Sequence, residues 1–280
     1  MYNLKKIFVA LFGVRLINYL IFVIQHRRLP GSGTFSYYVN YKKINYTEEM
    51  VRLSDKIRAK EALVEWGYSY LLPATYCEIS DISKEAFDAL PGSFVLKMNT
   101  GAGCNYICND KKKVSFEELS SCVSLWEVDN VSWVGLEFHY SLIKPRLYAE
   151  EVIGGGDDEL VDYKFHMFPS GFMIIAVYRG RGRDLRVDYF TRDLIRLPQL
   201  WNYKSSGLSI ETVIPANINE LIEVAMRLYE LQSEEYVRID LYSIEGKVIF
   251  GEFTFTHSGG YSKFVDPAYD KTLYRWGWGV

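Results

Sequence analysis

Cysteine is scarce and poorly spaced for chemistry. Cys77, Cys104, Cys108 and Cys122 are the only four in 280 residues, and none falls in a CxxC or zinc-ligand spacing. A disulfide-stapled fold and a structural zinc site are therefore not expected, and reduced thiols in a cytosolic protein are. An excess of charge is missing too. The net charge is −3, from 32 Lys or Arg and 35 Asp or Glu, which gives no reason to expect a nucleic-acid partner. There is no internal repeat, no low-complexity tract and no Walker A loop. The long apolar run, residues 7–24, is interrupted by Arg15, and no small-residue cleavage site follows it, so a secretory signal peptide is not expected. A spanning helix ranks third, because a mid-helix Arg costs about 2.5–3.5 kcal/mol on insertion scales. Lys5, Lys6, Arg27 and Arg28 flank the run. Two readings stay open: a helix lying on a membrane surface, and a helix docked on the domain.

What is present is ample core material in short periodic segments. Hydrophobic residues make up 49% of the chain, enough for one large or two small domains. Pro30-Gly31-Ser32-Gly33 ends the apolar run. Thr47-Glu48-Glu49 predicts the start of a helix over residues 50–66, with Met50, Leu53, Ile57 and Val64 on one face and Gly67 at its end. Further helices are expected over 83–90, 115–123 and 218–231. Residues 160–168 and 173–178 read as a hairpin in which Lys164 faces outward by default. Residues 146–153 read as a strand that carries Glu150 and Glu151 into three glycines. Residues 179–186 read as a basic loop with four arginines.

Two stretches carry chemistry. Residues 236–261 read as a hairpin. Pairing Ser243 with Lys247 around a three-residue loop, Ile244-Glu245-Gly246, puts Val237, Ile239, Leu241, Ile249, Phe253 and Phe255 on one face and Arg238, Asp240 and Glu252 on the other. A guanidinium and two carboxylates beside a core are costly to bury without a metal or an anionic ligand. The competing reading is an exposed sheet face with an ordinary cross-strand ion pair. The second stretch, residues 94–108, reads as a strand ending in Lys97, a loop with Gly101 and Gly103, and a returning strand. Those glycines let backbone N–H groups approach an anion, and Lys97 adds a point charge. The competing reading is a glycine turn with a surface lysine.

In this order the segments resemble the ATP-grasp superfamily, and within it the TupA-like branch named for teichuronopeptide biosynthesis. The resemblance rests on Leu53-Ser54-Asp55-Lys56-Ile57-Arg58, Leu96-Lys97 with its glycine loop, Glu150-Glu151, Asp162-Tyr163-Lys164-Phe165, Val237-Arg238-Ile239-Asp240-Leu241-Tyr242 and Phe250-Gly251-Glu252-Phe253-Thr254-Phe255-Thr256. It implies an α+β ATP-grasp fold, two subdomains whose antiparallel sheets clasp a nucleotide. Residues 1–30 would be the apolar helix, 31–92 an N-terminal helical and α/β region, 93–153 the small subdomain with phosphate loop and hinge, and 154–280 the C-terminal subdomain with the metal site. ATP and Mg2+ are the implied cofactors. The implied reaction joins a carboxylate to an amine through an acyl phosphate. An amino acid or amine would be attached to a uronic-acid-type carboxylate in bacterial surface polysaccharide assembly, in the cytoplasm. The resemblance covers residues 7–24 poorly, and it is their membrane-surface reading that would put the protein at the inner face of the membrane.

By the same resemblance Lys97 contacts phosphate, and Gly101 and Gly103 form the loop over it. Glu150, Glu151 and Val152 meet adenine and ribose, and Lys164 faces the nucleotide. Asp240, Glu252 and Thr254 hold the metal, and Arg238 stabilises charge during acyl transfer. Thr254 stands where the related ligases carry asparagine, and its hydroxyl is a weaker oxygen ligand. His257 is a candidate general base, set against a lone loop histidine's usual structural role. The rival readings are a phosphotransferase on the same fold and a non-catalytic ATP-binding component of a polysaccharide complex. A glycosyltransferase is disfavoured, since Asp240 and Glu252 have no Asp-x-Asp companion.

Overall fold

Two antiparallel sheets organise the computed structural model, which describes residues 2–79, 82–101, 103–126, 130–154, 160–180, 184–202 and 214–280. The chain opens with α1 (Tyr2–Phe12) and α2 (Val14–His26). The single helix expected over residues 7–24 is broken at Gly13, whose φ of +79° only glycine adopts freely. No helix among the described residues is long and apolar enough to cross a membrane.

After α3 (Phe35–Lys42) come α4 (Glu48–Ser54) and α5 (Lys56–Glu65), where one helix over 50–66 was expected. The break is Asp55. Its backbone is extended, and its carboxylate accepts from the N–H of Ile57 (3.0 Å) and Arg58 (3.3 Å), an N-cap that starts a new helix. Met50, Leu53 and Ile57 are buried as expected, but Val64, on the far side of the break, is 56% exposed.

The smaller sheet uses β1 (Thr75–Ile79), β2 (Phe94–Met98), β3 (Asn105–Cys108) and β4 (Leu147–Glu150), in the order β1-β4-β2-β3. β1 lies upstream of the boundary expected at 92–93 and still pairs with β4, so this sheet draws on both sides of it. The helices α6 (Lys84–Ala89) and α7 (Phe116–Ser124) begin at Ser83 and Ser115, whose hydroxyls cap them. Phe87 and Leu119 from these helices close over Phe94, Leu96, Leu147 and Ala149. A short α8 (Asn130–Gly135) precedes β4.

The larger sheet is built from β5 (Asp162–Met167), β6 (Met173–Arg179), β7 (Arg186–Thr191), β8 (Arg196–Leu197), β9 (Val237–Ile244) and β10 (Lys247–Thr254), in the order β10-β9-β5-β6-β7-β8. Arg179 and Arg186 therefore end strands that pair with each other, while Arg181 and Arg183 of the expected basic loop lie outside the described residues. Alternation sends Tyr163, Phe165, Val237, Ile239 and Leu241 into a core closed by α9 (Ile218–Leu231) and α4. On the opposite face, Phe168, Tyr236 and Trp201 pack with α3 and α10 (Ala268–Trp278).

The hairpin of β9 and β10 is tighter at its turn than its apolar pattern predicts. Ile244 pairs with Lys247 around a two-residue loop, Glu245-Gly246, with φ of +51° and +77°. Two positive φ values match the right-handed strand twist. Without a correction this register would put Asp240 and Glu252 on opposite faces. A β-bulge at Gly251 adds one residue to β10, so Phe250 pairs with Leu241 and Glu252 pairs with Asp240. The expected apolar set changes accordingly: Val248 and Phe250 join the core, and Ile249 leaves it. A Cβ on residue 251 would lie 2.9 Å from the Tyr242 ring and 3.0 Å from the Asp240 carbonyl oxygen. Gly251→Ala should therefore destabilise the fold by about 1–3 kcal/mol, measured by urea unfolding, and displace Asp240 from Glu252.

Candidate functional site

Strand alternation builds a two-row grid on one face of the larger sheet. Lys164, Asp240 and Glu252 stand side by side in one row, and His166, Arg238 and Thr254 in the next. The Asp240 carboxylate is buried. Its Oδ1 accepts from Arg238 Nε at 2.7 Å, and its Oδ2 accepts from Arg238 Nη2 at 2.9 Å and from Lys164 Nζ. The default outward-facing Lys164 is thus corrected: the side chain is buried, with Asp240 as its counter-charge. Arg238 Nη2 also reaches Glu252 Oε1 (3.2 Å) and Thr254 Oγ1 (3.0 Å), and Nη1 lies 3.4 Å from His257 Nδ1. His257 is not an exposed loop residue but a buried one beside Arg238. Burial pushes the Asp240 carboxyl up, yet Arg238 and Lys164 outweigh it and hold it below its usual range. Glu252 is held down against its burial in the same sense, chiefly by Lys56.

The facing wall comes from the smaller sheet and α5. Lys97 and Glu150 share the face opposite the Phe94, Leu96 and Ala149 core. Glu150, 2% exposed, accepts through its carboxylate from both Lys97 and Lys60. Burial raises its carboxyl, but the two lysines bring it below the ordinary value. Lys60 also donates to Thr75 Oγ1 at 2.9 Å. Lys56, one helical turn earlier, donates to the Gly101 carbonyl at 2.7 Å and lies 3.6 Å from Glu252 Oε2, so it spans the two walls. Between the walls is a cavity of about 210 Å³, bordered by Lys56, Lys60, Lys97, Glu150, Asp240 and Glu252.

Of the residues singled out from sequence, Lys97, Gly101, Gly103, Glu150, Lys164, Asp240 and Glu252 all border this cavity. Gly101 and Gly103 have φ of +79° and +83°, and Ala102 between them lies outside the described residues. Arg238 and Thr254 stand one row behind. Glu151 and Val152 follow the end of β4, where the Glu151 N–H donates to the Ala74 carbonyl (2.9 Å), and neither borders the cavity.

Lys56 and Lys60 received no role from the sequence. Their signal was there, two lysines four apart after an N-capping aspartate, and therefore on one helix face. Lys43 and Glu137 gave no signal. Lys43 is fully buried and donates to the carbonyls of Gly135 (3.0 Å) and Gly259 (2.8 Å), while Glu137 accepts from the Thr256 hydroxyl. Burial lowers the Lys43 ammonium to about 7 and raises the Glu137 carboxyl. They anchor a turn in which Ser258, Gly259 and Gly260 all have positive φ.

Among the described residues no group of three or more His, Cys, Asp or Glu could hold a metal. Asp240 and Glu252 are instead a carboxylate pair on one cavity wall, with the Thr254 hydroxyl 3.4 Å from Glu252 Oε1. Such hard oxygen donors fit Mg2+, which binds through one or two carboxylates with phosphate oxygens and water completing its shell.

The buried imidazoles set an acid limit on stability. Burial lowers His139 to about 3 and holds His166 and His257 well below 6.5. The unfolded chain binds these protons near pH 6.5 and the folded chain does not, so stability falls as pH drops below that value. Three sites give a slope of up to about 4 kcal/mol per pH unit, measurable as urea midpoints between pH 7.5 and 5. Asp240, Glu150 and Glu252, depressed in the folded state, contribute above their ordinary values of 3.8 and 4.5, and that part is lost only on further acidification.

Two antiparallel sheets facing each other across a lysine-and-carboxylate cleft define an α+β protein of the ATP-grasp architecture. The TupA-like ATP-grasp family profile matches residues 37–275, and the chain belongs to that family. No curated protein matches it. Among solved structures it is similar to the D-alanine–D-alanine ligase from Bacillus anthracis complexed with ATP, at 16% identity and a TM-score of 0.42, covering 73% of this chain and 55% of that one. The D-alanine–D-alanine ligase from Helicobacter pylori gives 15% identity and 0.45, covering 89% and 70%. The N5-carboxyaminoimidazole synthetase from Staphylococcus aureus gives 10% and 0.40, covering 72% and 44%. The chain thus spans about half the length of the first of these proteins.

Proposed function

We propose that this chain is an ADP-forming carboxylate–amine ligase that uses ATP and Mg2+. The observation that carries the reading is the cleft, with Lys56, Lys60 and Lys97 on one side of a cavity and Asp240 and Glu252 on the other. A carboxylate is a poor acyl donor. In the proposed reaction its oxygen attacks the γ-phosphorus of ATP, and ADP leaves with the former β–γ bridging oxygen. The amine then attacks the acyl carbon, the C–O bond breaks, phosphate departs with that oxygen, and the nitrogen loses a proton.

Lys97, Lys60 and Lys56 bind the phosphates, and the loop of Gly101 and Gly103 brings backbone N–H groups close to them. Asp240 and Glu252, with the Thr254 hydroxyl, would hold Mg2+, which when bound neutralises phosphate oxygens and templates the transfer. Arg238 offers its guanidinium to the oxyanion of the acyl-transfer step, fixed in place by Asp240, Thr254 and His257. Lys164 keeps Asp240 ionised at the nucleotide's edge. Glu151 and Val152, which follow Glu150 just outside the cavity lining, would meet the adenine and ribose where these extend past it. The substrate class, an amino acid or amine joined to a uronic-acid-type carboxylate of a surface polysaccharide, follows the family resemblance. We place the reaction in the cytoplasm, at the inner face of the membrane.

Mass spectrometry of products from a panel of amines and uronates with ATP tests the reading. An amide with stoichiometric ADP, dependent on both partners, is the expected result. A stable phosphorylated product formed without amine would mark a phosphotransferase, and ATP binding without turnover a non-catalytic component.

A further inference from the structure

The side of α2 toward the domain is fixed by specific contacts. Ile17, Asn18 and Phe22 are buried, the Asn18 amide donates to the Asn40 carbonyl (3.3 Å), and the Gln25 amide donates to the Tyr261 carbonyl (2.9 Å). α1 meets the short helix α8 through Lys5, whose ammonium donates to the Val134 carbonyl at 2.7 Å, and Lys6, whose ammonium lies 5.5 Å from the Trp133 ring centroid. The docked reading of residues 7–24 thus describes one side of these helices, and it leaves the other side unpartnered.

That other side is apolar. Phe8, Leu11, Phe12, Leu16, Leu20 and Ile24 are all exposed, Leu11 at 69% and Ile24 at 74%. On α2, Leu16, Leu20 and Ile24 recur every four residues, and so form one outward stripe. A stripe of this size is costly in water and marks an interaction surface. The surrounding charge says what covers it. Residues 1–47 hold seven Lys or Arg and no Asp or Glu, whereas the other 233 hold 25 Lys or Arg against 35 Asp or Glu. Arg15 and Arg27 flank the stripe as exposed residues. An apolar stripe edged by cations, on a segment without acids, complements an anionic lipid surface. The break at Gly13 lets two short helices lie against one plane, which neither could cross.

We propose that the outward face of α1 and α2 seats this protein on an anionic bilayer, with the apolar stripe in the headgroup layer and Arg15 and Arg27 at the phosphates. This surface gives the membrane location suggested above a defined face and lipid charge, and it stands whether or not the chain is a ligase.

Flotation of the full chain with lipid vesicles tests it. Vesicles of phosphatidylcholine with about 30% phosphatidylglycerol should carry the protein at least about tenfold more than pure phosphatidylcholine. Raising salt from about 50 to 500 mM should weaken that binding severalfold. Leu11→Glu with Ile24→Glu should abolish flotation, and Arg15→Glu with Arg27→Glu should remove the preference for anionic vesicles. Val64→Glu, at an exposed apolar site elsewhere, should leave it unchanged. Equal binding to both vesicle types, or no binding to either, would overturn the proposal. So would a concentration-dependent dimer abolished by Leu11→Glu with Ile24→Glu in a chain that does not float, which would assign the face to a second copy.

Discussion

Glu252→Gln should lower ATP turnover by about 10³-fold or more while leaving the protein folded. A thousandfold corresponds to about 4 kcal/mol of transition-state stabilisation, within what a carboxylate ligand to a catalytic metal supplies. The fold should survive because the Glu252 side chain is 35% exposed, and Arg238 keeps Asp240 and Thr254 when that partner is neutralised. A pair of one partly exposed carboxylate and one mostly buried guanidinium that keeps its other partners contributes about 1 kcal/mol. Asp240→Asn should behave differently. Its carboxylate is the shared counter-charge of buried Lys164 and Arg238, so its loss leaves two cations facing a neutral amide. A penalty of about 3–5 kcal/mol should accompany the loss of turnover. Thermal unfolding and ATPase assays on both variants separate the two effects, and unaltered turnover in a chain carrying Asp240→Asn together with Glu252→Gln would remove the metal assignment.

Lys97→Met should raise the Kd for ATP by about 10- to 100-fold, the worth of one charge-assisted hydrogen bond of about 1.5–3 kcal/mol. Titration calorimetry reads this directly. Its effect on stability should be small, because Glu150 retains Lys60. Glu150→Gln should show the reverse pattern. Without nucleotide it leaves Lys97 and Lys60 beside each other with no counter-charge, so its Tm should fall by several degrees. The triphosphate should then restore the balance, and the rise in Tm on adding ATP should be larger than in the parent protein. A Glu150→Gln variant that loses ATP affinity with no change in its nucleotide-free Tm would show that Glu150 acts on adenine or ribose instead.

These outcomes hinge on features that the sequence disclosed unevenly. Strand alternation was legible, so Arg238, Asp240 and Glu252 could be put on one face, and they stand there. The route was not legible. The apolar pattern favoured a three-residue loop, whereas the chain makes a two-residue turn and recovers the register through the bulge at Gly251. A bulge leaves no trace in hydrophobicity when the residues beside it, Ile249 and Phe250, are both apolar. Lys56 and Lys60 were hidden for a different reason. Reading residues 50–66 as one helix obscured the cap at Asp55, which re-aims both lysines at Glu150 and Gly101. Lys43 and Glu137 are brought together by long-range contacts around Gly135, Thr256 and the turn at 257–260, whose three positive φ values include that of Ser258. No local propensity announces a serine in that region.

The proposed ligation requires that a carboxylate oxygen pass to phosphorus. A substrate carboxylate labelled with oxygen-18, incubated with the protein, ATP, Mg2+ and the amine that supports turnover, should yield inorganic phosphate carrying one labelled oxygen per amide formed. Unlabelled phosphate, or label retained in full by the acyl product, would contradict the acyl-phosphate route and with it the ligase reading.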